Sequence, residues 1–118
     1  MEKYMLIFRN SATSEDEFQN LSPEAMQAEL DKWGQWIGGI AAQGKLVSTD
    51  ALDHTGKIVK GSKHVITDGP YIESKELVSG YLTLSAGSIE EAIELSKGCP
   101  IFEIEGSVEV RPLMNLGE

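Results

Sequence analysis

Near its start the chain carries Lys3-Tyr4-Met5-Leu6-Ile7-Phe8-Arg9, a stretch that is apolar on both faces once extended. Side chains of a strand alternate with period two, so Tyr4, Leu6 and Phe8 point one way and Met5 and Ile7 the other. A strand of this kind is covered on both sides. Any fold for this chain has to supply two layers of cover for it.

The remaining segments say what the layers are. Ser11 to Leu21 is polar and acidic and reads as a loop. Ser22-Pro23 opens a helix, since Ser caps free N–H groups and Pro suits the first helical position. Met26, Leu30, Trp33, Ile37 and Ile40 then recur at helical spacing, with Trp36 flanking the stripe and Gly44 as the stop. Lys45–Leu52 and Lys57–Val65 read as strands joined by the turn cluster Asp53-His54-Thr55-Gly56. Asp68-Gly69-Pro70-Tyr71 reads as a rigid turn, followed by a loop through Glu73, Lys75 and Glu76 to Gly80. Tyr81–Ala86 is a further strand. Ser88 and Glu91 fit a capping box for a second helix, whose inner face is Ile89, Ala92, Ile93 and Ser96. Gly98-Cys99-Pro100 ends it, an irregular link follows, and Ser107–Pro112 forms the last strand.

With 118 residues, one domain spanning residues 1–118 is the expectation. The order of elements predicts an α+β, ferredoxin-like split βαβ arrangement: an antiparallel sheet with two helices on one face. Two helices cover only that face. The double-faced first strand therefore predicts a second sheet against the other, and a second copy of the chain is the simplest source, as a homodimer. Sheet against sheet would enclose a barrel-like core with room for a pocket.

Charge narrows the partners. The chain has 19 acids against 10 bases, a formal net charge of −9. Without clustered Lys and Arg it offers no footprint for nucleic acid, and it is repelled by anionic membrane surfaces. Cys99 stands alone, so no disulfide is expected within the chain. With His54 and His64 it lacks the spacing of a metal site. The apolar run at the start is too short for a signal or a span, which leaves the cytoplasm as the expected compartment.

In the last strand Val108 and Val110 alternate with Glu109 and Arg111. If the valines face the helices, Glu109 and Arg111 project onto the open face, where Tyr81, Thr83 and Ser85 line the same side. Polar groups gathered on an apolar surface are how small ligands are held. The alternative is a Glu109–Arg111 pair on a solvated sheet.

Thr67-Asp68-Gly69-Pro70-Tyr71-Ile72-Glu73-Ser74-Lys75-Glu76 with Gly80-Tyr81, Cys99-Pro100 and Gly106-Ser107-Val108-Glu109-Val110-Arg111-Pro112 together resemble the YCII-related family, in its DGPF-domain branch. The resemblance runs from Tyr4 to Pro112, with Tyr71 in place of the Phe of the naming motif. It implies a ferredoxin-like fold that pairs into a dimeric α+β barrel. It also implies small-molecule enzymes of the muconolactone-isomerase type, some with a catalytic His–Asp pair, and domains that occur alongside extracytoplasmic-function sigma factors. Neither His54 nor His64 matches that histidine in position, although His64, four residues before Asp68, leaves a local pairing open.

Two readings follow. In the first, a cofactor-independent isomerase or lyase acts on a small polar or anionic metabolite. Asp68 or Glu73 is its general base, Tyr81 orients or donates a proton, and Arg111, with Glu109 and Lys75, binds the ligand. No phosphate-cradling glycine loop or metal cluster points to a redox cofactor. In the second, the same pocket senses a ligand in a regulatory module. A purely structural dimer is a third option.

Overall fold

The computed structural model describes residues 1–69 and 76–116. In chain order the elements are β1 (Glu2–Asn10), α1 (Ala12–Gln19), α2 (Pro23–Ala42), β2 (Leu46–Ala51), β3 (Gly56–Lys60), β4 (Val65–Gly69), β5 (Leu77–Ala86), α3 (Ile89–Ser96), a 3-10 turn (Pro100–Ile104) and β6 (Ser107–Pro112). Four strands form an antiparallel sheet in the order β2-β5-β1-β6, while β3 and β4 make a two-stranded sheet of their own. This is the ferredoxin-like order with a hairpin added between the second and third sheet strands.

β1 lies inside the sheet, paired with β5 on one side and β6 on the other. Its first apolar row enters the core: Tyr4, Leu6 and Phe8 are buried with Leu82, Leu84 and Ala86 of β5 beneath Ile40 of α2 and Ala92 of α3. Val108 and Val110 pack against the same core, so the helices and the valines share one face. Phe8, Trp33 and Trp36 meet edge to face in a triangle with centroids 5.2 to 5.9 Å apart. Such aromatic pairs add specificity beyond the area they bury. Trp36 also donates through Nε1 to the Leu95 carbonyl at 2.9 Å, tying α2 to α3.

The caps act locally as their residue types dictate. Ser22 accepts from the Ala25 N–H and Ser88 from the Glu91 N–H. The Glu91 carboxylate reaches back one residue further than a capping box does, to the N–H of Gly87, and also pairs with Lys45. Those two donors hold its carboxyl below the usual carboxylate range, Lys45 foremost.

Several segments differ from the sequence expectation. Ser11 to Leu21 is not a loop: Ser11 caps α1 by accepting from the Ser14 N–H at 3.0 Å. Acids near an N-terminus favour that start, and Glu15 stands in the first turn. Lys57–Val65 is not one strand, because the chain reverses at Gly61–His64, where Gly61 and His64 have φ of 77° and 55°. Asp68 and Gly69 belong to strand β4 rather than to a turn; Pro70 and Tyr71 lie outside the described residues. Leu77–Gly80 is strand, not loop, and extends β5. On α3, Ile93 is exposed and Leu95 packs against the core in its place.

Candidate functional site on the open sheet face

Because Tyr4, Leu6 and Phe8 face the helices, Met5, Ile7 and Arg9 face the other way. Residues directly opposite in an antiparallel ladder share a face, so the register assembles that face row by row. One row runs Ser48–Thr83–Met5–Arg111 and the next Asp50–Tyr81–Ile7–Glu109. No helix packs on this side among the described residues. An apolar strip from Met5 and Ile7 is thus flanked by a hydroxyl–carboxylate pair on one side and by charged groups on the other.

On the β2 side, the Tyr81 hydroxyl donates to Asp50 Oδ2 at 2.9 Å. A second tie sets the register there, as Thr49 Oγ1 donates to the Tyr81 carbonyl at 2.8 Å. On the β6 side, Arg9 holds Glu109 through Nη2 at 3.0 Å and Nε at 3.3 Å, and its Nη1 reaches the Glu76 carbonyl. Arg111 approaches the other oxygen of Glu109 only at 3.8 Å through Nε, with its side chain 67% exposed. Arg9 is committed to the fold, whereas the guanidinium fork of Arg111 points at an open surface. A planar fork of this type matches a carboxylate in two parallel hydrogen bonds.

The structure sorts the candidate residues into separate places. Tyr81, Glu109 and Arg111 share the open face. Asp68 does not join them: it sits on β4 with its side chain 91% exposed and pairs across the hairpin with Lys57. His64 is no partner of Asp68 either. It occupies the hairpin turn in the left-handed region, and its strand neighbour Val65 pairs with Lys60, while Asp68 opposes Lys57. Glu73 and Lys75 lie outside the described residues. Asp50 and Arg9 are the site residues that the sequence reading missed. Neither belongs to a motif, but the antiparallel register of β2 with β5 would have placed Asp50 opposite Tyr81.

Away from the face, a shallow cavity of about 460 Å3 separates the base of the hairpin from the start of β5, walled by Leu52, Ile58, Gly69, Leu77 and Val78. Asp53 at its rim accepts from the N–H and hydroxyl of Thr55, which hold its carboxyl below the usual range. Among the described residues no three His, Cys, Asp or Glu side chains converge as a metal site requires, and no helix is long and apolar enough to cross a membrane.

Compared with known proteins, residues 3–116 match the family model described as YCII-related domain. No curated protein matches the chain.

Proposed function

Since the chain belongs to the YCII-related domain family, we propose that it is a cofactor-independent enzyme, of isomerase or lyase type, acting on a small polar or anionic metabolite. The finer placement in the DGPF branch is part of the same proposal and rests on Asp68-Gly69-Pro70-Tyr71, as is a cytoplasmic setting. The metabolite lies between the open faces of two copies of the chain. The observation that carries this reading is the Tyr81 hydroxyl bonded to Asp50 at 2.9 Å on the face that also presents Arg111.

In this reading Arg111 holds a carboxylate of the metabolite. Asp50 takes a proton from the carbon next to a carbonyl, and the electron pair moves onto the carbonyl oxygen. The Tyr81 hydroxyl turns from Asp50 to donate to that oxygen as charge develops, the arrangement that lowers such barriers most. Asp50 then returns the proton to a different carbon, which completes an isomerisation with no net gain or loss of atoms. Asp50 replaces Asp68 as the base because Asp68 is held by Lys57 on the exposed hairpin.

A thermal-shift screen of small carboxylates and lactones tests the site, because a ligand of the native state raises Tm by mass action. Arg111→Ala is expected to abolish the shift. Tyr81→Phe is expected to keep it, while slowing deuterium exchange at the ligand's acidic carbon by about 10²-fold or more, the usual size of general-acid–base effects. Hits that bind Arg111→Ala unchanged would sink the reading. Binding with no exchange in the wild type would favour the second reading, a ligand-sensing module of the kind linked to extracytoplasmic-function sigma factors. The hold of Arg9 on Glu109 supports that alternative, since it leaves Arg111 free to bind without any chemistry.

A further inference from the structure

The β3–β4 hairpin is an arm. It pairs only with itself among the described residues, and a lone two-stranded hairpin is marginal in water. Its cross-strand pair Val59–Ile66 is nonetheless 62% and 65% exposed, and Val65 on the opposite side 56%. It also carries three lysines, Lys57, Lys60 and Lys63, against one acid, Asp68, although the chain as a whole stands at −9. A basic, apolar arm on an acidic body is complementary to another copy of that body.

The fold shows where on the copy it fits. The arm joins the sheet beside Leu77 and Val78 at the start of β5. Leu77 pairs with Asn10, the last residue of β1, and α1 begins two residues later. Arm and α1 therefore emerge at the same end of the sheet. α1 holds Glu15, Asp16 and Glu17 and no base. A two-fold axis through that end sets each arm against the α1 of the other molecule, so the same contact is made twice.

We propose that the β3–β4 arm docks on α1 of a second copy of this chain through the face that carries the Lys60–Val65 pair, with Val65 as its apolar contact and Lys60, together with Lys63 of the turn, facing the acids of α1. This contact is separate from the pairing of the open sheet faces, so it does not depend on the catalytic reading.

Sedimentation measures it. The wild-type assembly is expected to fall to half its mass in Val65→Asp and in Lys60→Glu/Lys63→Glu, and to weaken with salt, which screens exposed charges. The halving is from four copies to two if the sheet faces also pair, and from two to one if they do not. Mixing Lys60→Glu/Lys63→Glu with Asp16→Lys/Glu17→Lys is expected to restore the larger species. The substituted residues are exposed, and unchanged circular dichroism verifies that each variant folds. Wild-type mass in both arm variants at every salt concentration overturns the proposal. So does a 12.9 kDa wild type whose arm amides gain exchange protection only with polyglutamate or with anionic vesicles.

Discussion

Single side chains in this molecule do opposite things with similar chemistry. Tyr81 and Asp50 place a hydroxyl and a carboxylate 2.9 Å apart on an uncovered face, whereas Cys99 places a nucleophilic atom where nothing can reach it. Cys99 is 3% exposed within the core, and burial pushes its thiol up to about 12. The thiolate is the reactive form, so modification by a disulfide reagent at pH 8 is expected to be at least 10²-fold slower in the native protein than in urea. The thermodynamic sign follows. A folded pKa raised above the unfolded value gives stability that is complete below about pH 9 and is lost as pH rises toward 12. Native labelling as fast as that of the unfolded chain would falsify the buried assignment. The sequence marked Cys99 as unpaired, and it also marked Tyr81, Glu109 and Arg111 through alternation. It could not mark Asp50, because a lone Asp in a polar segment acquires meaning only from the strand opposite. Asp68 shows the converse: a conspicuous motif residue whose side chain stands in solvent on the hairpin.

At the level of elements, caps and periodicity were legible and weakly amphipathic pieces were not. α2 announced itself through Ser22-Pro23 and a long apolar stripe, and its start appears where those signals put it. α1 has one half-buried aromatic, Phe18, and its helix rests on capping at Ser11, a signal that a search for apolar stripes passes over. The hairpin was hidden because apolar residues continue on both sides of Gly61-Ser62, as they do within one strand. Two glycines show how closely each element is fitted. At Gly106, between the 3-10 turn and β6, an added Cβ would lie 2.4 Å from Ile101 Cγ1 and 2.8 Å from the Arg9 carbonyl oxygen. Backbone cannot yield as a flexible side chain does, so Gly106→Ala is expected to cost about 1–3 kcal/mol. At Gly38, within α2, the same Cβ meets nothing within 4 Å. There Gly38→Ala is expected to stabilise by about 0.5–1 kcal/mol through helix propensity and the unfolded chain. Denaturant titration of both variants checks the opposite signs.

Taken whole, the molecule is a slab of 44 × 40 × 19 Å with a radius of gyration of 15.8 Å, against about 13.5 Å for a compact domain of this length. One helical layer on one sheet, with an arm beside it, accounts for the flatness. The far side of the sheet carries Met5 and Ile7, and the pairing proposed for that face makes a measurable claim. Ile7→Asp puts a charge in the centre of that face without touching the helical core. Light scattering is expected to show it at half the wild-type mass with its far-UV spectrum intact; an unchanged mass would rule out pairing through this face. The interior place of β1 reaches beyond assembly. Its partners are β5 and β6, whose pairing residues lie as far along as Ala86 and Pro112. Closing a sheet across such separations costs loop entropy before any contact repays it, which slows folding relative to a helical bundle of the same length. During synthesis the arm can zip up from neighbouring residues at once, while β1, its apolar rows bare, waits for nearly a hundred residues more to emerge. The strand with apolar rows on both faces is therefore the one left longest without its neighbours, and exposed apolar surface with unpaired edges favours aggregation until the later strands arrive.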